Sequence, residues 1–543
     1  METKANIKNY FYGMDSDEAM EMVLKERGIK DPDSFLNPSE EFIKPPETLP
    51  NIREAGSIVE CALFNKKKVF LNVDSDTDGI TSGTIIKRYI DHVWDVDIPW
   101  HVSEGKSHGT SQALTEKLEK EKPDILIIVD SLDGTVENYK KYAEMGIKVI
   151  ILDHHDVNPE VNYSDYALLV SSNLSETPEL SGAGVAWKFC KYLDYITLNN
   201  YADELVDLAA VGLVADMVDL SEASMDNRAI CWKGFQNLKN PAIKKIIGSF
   251  PFNSQSVAFS IAPLINACCR YSHNDIAFKC FIADNVEFIK KRLKIMNHWK
   301  TRQAEEVSTI FEDLIPQIEA QKDEKVLAGF IETPNGITGL VANKILARYK
   351  KPVLIFRKSQ KDDPSQTLTG SGRGLGQKNF KEACGETGLG KGFGHPHAFG
   401  VFTQKENFDE FMISLRKLYE NETFTNEVSI DLGVNAEDIT NNLVNTIKFM
   451  NTISGTGFPA IQVAVILKDY GASTMTQGKH LVLNDGYFTY IQWNVGEKEE
   501  YYQNLADKET PIMVSGTLDS GFFGRKFVPR MIINNIVEQR EVL

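Results

Sequence analysis

Short, continuously apolar runs separated by amphipathic stretches dominate the first half of the chain. Val69–Val73, Ile125–Val129 and residues 149–152 are too short for helices and lack the alternation of half-exposed strands. Between and around them, residues 81–93 carry Ile85, Ile86, Tyr89 and Ile90 on one helical face, and helices also read over 17–27, 52–65 and 135–145. Strands apolar on both faces and joined through helices predict a buried parallel sheet. Residues 225–282 read as helical. From Asn285 to about Gln321 a long, charged helical pattern, with Pro316 near its end, predicts a connector between lobes.

A second α/β segment begins near Val326, where GITGLVA (336–342) starts a helix and residues 353–356 form a strand. Two glycine-rich stretches follow, GSGRGLG (370–376) and GFGHPHAFG (392–400), and read as turns. From about Glu427 the pattern changes to strands at 428–432, 461–467, 480–483, 487–493, 512–518 and 527–533, with turns at 484–486 and 520–521. Aromatics such as Tyr487, Tyr490, Trp493, Phe522 and Phe523 in these strands suggest a small barrel of the oligonucleotide-binding kind. Residues 1–50, broken by Pro32, Pro38, Pro45, Pro46 and Pro50, read as an arm packed on the first domain. The expected organisation is an arm (1–50), a parallel-sheet α/β domain (51–283), a connecting helix (284–322), a second α/β domain (323–424) and a β-barrel (425–543).

Composition narrows the classes. At 543 residues, 42% apolar and 25% charged, the chain has the make-up of a multidomain globular protein. No apolar stretch approaches the length of a membrane span, and residues 1–11 lack the basic-then-apolar plan of a signal peptide. Seven cysteines without a CxxC pair read as reduced thiols, so a cytoplasmic setting without membrane contact is expected. A net charge of −17 argues against a general nucleic-acid coat, but residues 341–395 hold 11 Lys and Arg against 4 Asp and Glu. That basic, glycine-rich face could hold phosphates; a solvated surface with flexible turns is the plainer reading of such loops.

The candidate chemistry lies where the apolar runs stop. The first ends in Asp74, Asp76 and Asp78, with Gly79 to turn the chain; the second ends in Asp130; the third ends in Asp153, His154 and His155. Alternate carboxylates repel one another, and a fold that gathers them usually places a cation between them. A calcium loop would need Glu at its twelfth position, where Ile85 stands, so the EF-hand reading fails. In open parallel sheets ligands bind at the carboxyl ends of the strands, which predicts one shared crevice for these groups. LAAVGLVAD (208–216) adds Asp216, which alone would read as a cap or core-edge residue. SGAGVAWKF (181–189) opens a helix whose free amides could meet an anion, or whose glycines serve close packing. In PLINACCR (263–270), Asn266 and Arg270 share a helical face.

Taken in order, VDSDTDG, IIVDS, LDHH and VADMVDL resemble the four motifs of the DHH phosphoesterases. RGIKDPDSFLNP, SGAGVAWKF, APLINACCR, GITGLVA, TGSGRG, GHPHAFG, GTGFPA and GKHLVL resemble, over roughly residues 17–540, the RecJ-type exonucleases. The resemblance implies a DHH domain, a connecting helix, a DHHA1 domain and an OB-fold, and 5′→3′ degradation of single-stranded DNA to mononucleotides in repair or recombination. It implies two divalent cations, Mn²⁺ or Mg²⁺, held by Asp76, Asp78, Asp130, His154 and Asp216, with Asp130 bridging both. Asp74 would be a ligand or orient the attacking water, His155 would face the scissile phosphate, and Asp153 would fix an imidazole tautomer. Ser371 and Arg373 would hold backbone phosphates, His395 would lie near the reacting centre, and Asn266 and Arg270 would assist from the other wall. The family usually carries an Arg before a Gly-Tyr-Gly element; HVSEGKSHG (101–109) has none, and Lys106 would substitute as a point charge. Candidate protein partners are a single-stranded-DNA-binding protein or a helicase. The alternatives are a DHH enzyme for short oligoribonucleotides or a cyclic dinucleotide, and an inactive DHH-type scaffold.

Overall fold

The computed structural model describes residues 3–11, 13, 15–103, 109–175, 180–333, 336–358, 366–424, 426–523 and 526–538. Among the described residues, three large sheets and a two-stranded one organise it. The first is wholly parallel, in the order Trp100–Val102, Val69–Val73, Ile125–Val129, Lys148–Asp153, Ala167–Ser171. Val69–Val73 and Ile125–Val129 are buried at every position, which is why they read as unbroken apolar runs. Helices Ile52–Phe64, Thr77–Trp94, Gly182–Thr197 and Val206–Ala215 pack on this sheet and on one another in one core.

The helix after the first strand begins at Thr77, four residues before the apolar pattern does. Gly79 therefore lies in its first turn and does not turn the chain. A Cβ there would meet the Asp74 backbone at 2.7 Å, so glycine permits the helix to start against the strand end.

Val286–Glu319 is a single helix of 34 residues, roughly 50 Å long. Its buried stripe is shared: Ile289, Leu293 and Met296 join the first core, whereas Val307, Leu314 and Ile318 join that of the second sheet. The second sheet runs Gly390–His395, Ala398–Gln404, Thr367–Arg373, Val353–Arg357, Leu327–Ile331, with only the last pair parallel. Both glycine-rich stretches thus lie largely in strands. Close neighbours explain the glycines: a Cβ on Gly370 would meet Ile355 O at 2.3 Å, and one on Gly372 the Phe399 ring at 2.4 Å.

The C-terminal part forms an eight-stranded mixed sheet, from Gly471–Met475 at one side to Tyr10–Phe11 at the other. It is compatible with the expected barrel, and its long central hairpin pairs Ile512–Phe523 with Lys526–Glu538. The N-terminal arm is part of this unit. Thr3–Ile7 pairs with Asn426–Ile430, Tyr10–Phe11 pairs with Leu432–Val434, and Ala19, Val23, Leu24, Phe35 and Leu36 enter its core. The arm also packs on the first domain: Lys30 N and Asp31 N donate to Glu222, Phe35 O accepts from Arg228, Lys44 N donates to Asp226, and Leu49 joins that core. The arm's amphipathic pattern demands an apolar partner but does not name one.

Arg27 fastens the arm by donating Nε and Nη2 to Asp431 at 2.9 and 2.7 Å. Arg228, fully buried, joins three parts of the chain through the carbonyls of Phe35, Leu220 and Ile453. Burial pushes its guanidinium down to about 9.

Candidate metal centre and cationic wall

The carboxyl edge of the parallel sheet brings the acids together. Asp74, Asp76 and Asp130 form one group that could hold an ion; Asp130, Asp153, His154 and His155 form a second, and Asp78, His154 and Asp216 a third. Within each, one candidate ligand atom per residue lies within 4.8 Å of the others. Asp130 and His154 are each common to two groups. His154 Nε2 stands 3.2 Å from Asp130 Oδ1 and 3.8 Å from Asp78 Oδ2, and Nδ1 stands 3.6 Å from Asp216 Oδ2.

Each carboxylate is positioned by local backbone chemistry. Asp76 caps the helix it precedes, accepting from Gly79 N at 3.0 Å. Asp78 Oδ2 accepts from the amide of Gly182 at 2.6 Å and Oδ1 from that of Ala183 at 3.0 Å. The anion at the start of the SGAGVAWKF helix is therefore the protein's own carboxylate. The close-packing reading holds as well, since a Cβ on Gly182 would meet Asp130 Oδ1 at 2.6 Å. Asp130 adopts a left-handed backbone, φ 57°, directly after its strand, and its amide donates to Leu152 O at 2.9 Å.

Asp153 Oδ1 accepts from His155 Nδ1 and from His154 N, both at 2.8 Å. The sequence pattern did not single out Ser131, which donates to Asp74 Oδ1 at 3.4 Å and accepts from Gly109 N at 2.6 Å. Nor did it single out Asn173, whose side chain holds His154 O at 2.6 Å. Ser131 directly follows Asp130, which was the one available signal.

The electrostatics are those of crowded, buried acids. Burial raises the Asp130 carboxyl well above its usual range, and the charges of Asp78, Asp76, Asp74 and Asp153 add to the effect. Burial likewise raises Asp78, with His154 opposing, and brings Asp216 to about 8. Asp153 goes the other way, because the hydrogen bond and charge of His155 outweigh burial. Burial opposes a charged His155, but Asp153, Asp74 and Asp216 overcome it and raise the ring to about 9. Among the described residues, Asp130 Oδ1 is buried without a hydrogen-bond donor. An orphaned oxygen among mutually repelling carboxylates and imidazoles fits a hard or borderline divalent cation.

The second sheet supplies a cationic wall. Ser371 Oγ lies 2.7 Å from Thr338 Oγ1; Arg373 donates Nε to Asn343 Oδ1 at 2.7 Å and Nη1 to Gly372 O at 2.8 Å. Gly339 lets the guanidinium approach, since a Cβ there would lie 2.6 Å from Nη2. Arg270, in helix Ala262–Arg270 beside Asn266, donates to Gln303 Oε1 at 3.2 Å. Burial lowers both arginines; the charge of Arg270 lowers Arg373 further, and Asp76 partly offsets burial at Arg270. Arg270 thus stands within electrostatic reach of both the acids and Arg373. His395 is exposed at the end of its strand and joins none of the metal-capable groups among the described residues. Lys106 lies outside the described residues.

Comparison with known proteins bears on the family and the fold. The DHH family, N-terminal domain, matches residues 68–213. The chain is 31% identical over 425 residues to YorK of Bacillus subtilis (strain 168), named as an SPbeta prophage-derived single-strand DNA-specific exonuclease, covering 71% of each chain. It is 28% identical over 463 residues to the single-stranded-DNA-specific exonuclease RecJ of the same organism, covering 80% of this chain and 56% of that one. The solved RecJ of Thermus thermophilus in complex with Mn²⁺ has the same fold, with a TM-score of 0.74 at 20% identity over 98% of this chain and 79% of that one. Ordered motifs, converging acids, full-length fold and sequence identity together make this chain a member of the DHH phosphoesterases of RecJ type.

Proposed function

We propose that the protein is a two-metal-ion phosphodiesterase that degrades single-stranded DNA from its 5′ end to mononucleotides, in repair or recombination within the cytoplasm. The observation that carries this reading is Asp130, a buried carboxylate common to two groups of ligand-bearing side chains. Asp74, Asp76 and Asp130 would hold one divalent cation, and Asp78, Asp130, His154 and Asp216 a second. When bound, Mn²⁺ or Mg²⁺ supplies Lewis acidity toward a phosphodiester and the water that attacks it.

The chain's own groups do the remainder. Asp153 would hold His155 as a cationic imidazole for a phosphate oxygen, and Asp78 is fixed by two helix amides so that it cannot swing away. Arg270, Ser371 and Arg373, with Asn266, would hold the backbone across the crevice. His395 would lie near the reacting centre.

End-labelled single-stranded DNA incubated with Mn²⁺ tests the proposal. Release of mononucleotides from the 5′ end is expected. Cleavage of dinucleotides without release from DNA would replace the reading with a small-substrate DHH phosphodiesterase, and no release from any substrate would overturn it.

A further inference from the structure

The face of the second sheet that carries Ser371 and Arg373 also carries an aromatic pair that the proposed reaction does not use. The register aligns Ser371, Gly400 and Phe393 across three strands; on either side lie Arg373, Ala398 and His395, and Thr369, Phe402 and Lys391. Alternate residues share a face, so these nine positions form one surface. The other face is core, with Leu368, Phe399 and Val401 packed on Phe380 and Phe411.

Helix Thr338–Tyr349 covers the first face over its inner strands, where Val341 and Ile345 pack with Val353 and Ile355. On the two outer strands that face is open among the described residues. Phe393 is 62% exposed there, its ring stacked on Phe402 with centroids 5.4 Å apart and planes 15° from parallel. Nothing in the packing demands a small residue beside it, for a Cβ on Gly400 would meet no atom closer than 3.9 Å. Glycine and alanine at 400 and 398 leave a shallow floor between the aromatic pair and the Ser371–Arg373 row.

We infer that Phe393, backed by Phe402, is a stacking platform for an unpaired base of the single-stranded substrate. The inference rests on the proposed nuclease reading and deepens it. Charge complementarity selects the occupant: Lys391 flanks the rings on the same face and Arg373 stands across the floor, so a polyanion with exposed π faces suits the surface. Two strand spacings separate Phe393 from Ser371, roughly 10 Å, within reach of a base whose phosphate lies against Ser371 and Arg373. Because every base has a π face, the platform would hold the strand without reading its sequence.

The test uses the full chain with Mn²⁺ and a phosphorothioate oligodeoxynucleotide that resists hydrolysis, with an abasic position moved stepwise from the 5′ end. One abasic position is expected to weaken wild-type binding roughly 5- to 150-fold, and Phe393→Ala to weaken binding of the intact oligonucleotide by a similar factor. The variant should no longer distinguish that abasic position, whereas Phe393→Trp should. Phe393 is surface-exposed, and an unchanged circular-dichroism spectrum checks the fold. If Phe393→Ala binds both oligonucleotides as wild type does, the platform is wrong and the nuclease reading stands. If wild type binds no oligonucleotide, the nuclease reading fails and the platform with it.

Discussion

The backbone amide of Gly182 donates to Asp78 Oδ2 at 2.6 Å, tying the start of one helix to a carboxylate in the first turn of another. The same glycine leaves room for Asp130, whose Oδ1 would lie 2.6 Å from a Cβ at position 182. Two strand-end acids are thus set against each other by a residue that titrates nothing. Gly182→Ala is expected to lower hydrolysis by roughly 100-fold or more, because Asp130 is buried and must shift if a methyl group enters. Gly385→Ala, where a Cβ would meet nothing within 4 Å, should leave activity unchanged. Equal rates for the two variants in a single-turnover assay would count against the geometric role.

Asp130→Ala separates binding from chemistry. If Asp130 joins both ligand groups, its loss should abolish hydrolysis with Mn²⁺ while single-strand binding through Arg270, Ser371 and Arg373 largely survives. Anisotropy with a labelled oligonucleotide and a nuclease assay on the same preparation give both readouts. Robust turnover by the variant would end the two-metal assignment.

The acids and the strands they terminate were legible because burial on both faces leaves an unmistakable apolar run, as in Ile125–Val129. Trp100–Val102, three residues long, and Ala167–Ser171 lie at the sheet's edges, where the run is too short or too mixed to stand out. Gly370 and Gly372 were misread as turn residues because composition cannot tell a flexible glycine from one pressed against a neighbouring strand or ring. Ser131 and Arg228 act through contacts with residues distant in sequence, which no local pattern encodes. The arm's pairing with the C-terminal unit was hidden for the same reason. Its partner strands lie more than 400 positions away, with Thr3 opposite Asn426.

The paired arginines make a prediction about salt. Arg373 is fixed by Asn343 and Gly372 and feels the charge of Arg270, so the two cations are held near each other without a carboxylate hydrogen-bonded between them among the described residues. A phosphate between or beside them would relieve that repulsion. Arg373→Ala should weaken binding to all single-stranded sequences alike and reduce the slope of log affinity against log salt by about 0.7. Arg373→Lys should retain the slope while losing affinity, since a point charge cannot replace a fork. A slope unchanged in Arg373→Ala would remove Arg373 from the phosphate path.

His101 gives the fold a pH dependence that does not involve the acidic centre. It sits buried on the edge strand Trp100–Val102, and Lys117 Nζ donates to its Nδ1 at 2.9 Å. Burial, reinforced by the Lys117 charge, lowers the imidazole from 6.5 to about 4. Between those values the unfolded chain binds more protons than the folded one, so stability rises with pH there. The contribution is fully present above about 6.5 and is lost as pH falls toward 4, by no more than ~3 kcal/mol. His101→Gln removes the titrating group and should flatten that part of the stability profile. Urea unfolding of both proteins at pH 7.5 and pH 5 measures it: the wild type should lose more stability than the variant over this interval, and parallel losses would show that His101 is not buried neutral.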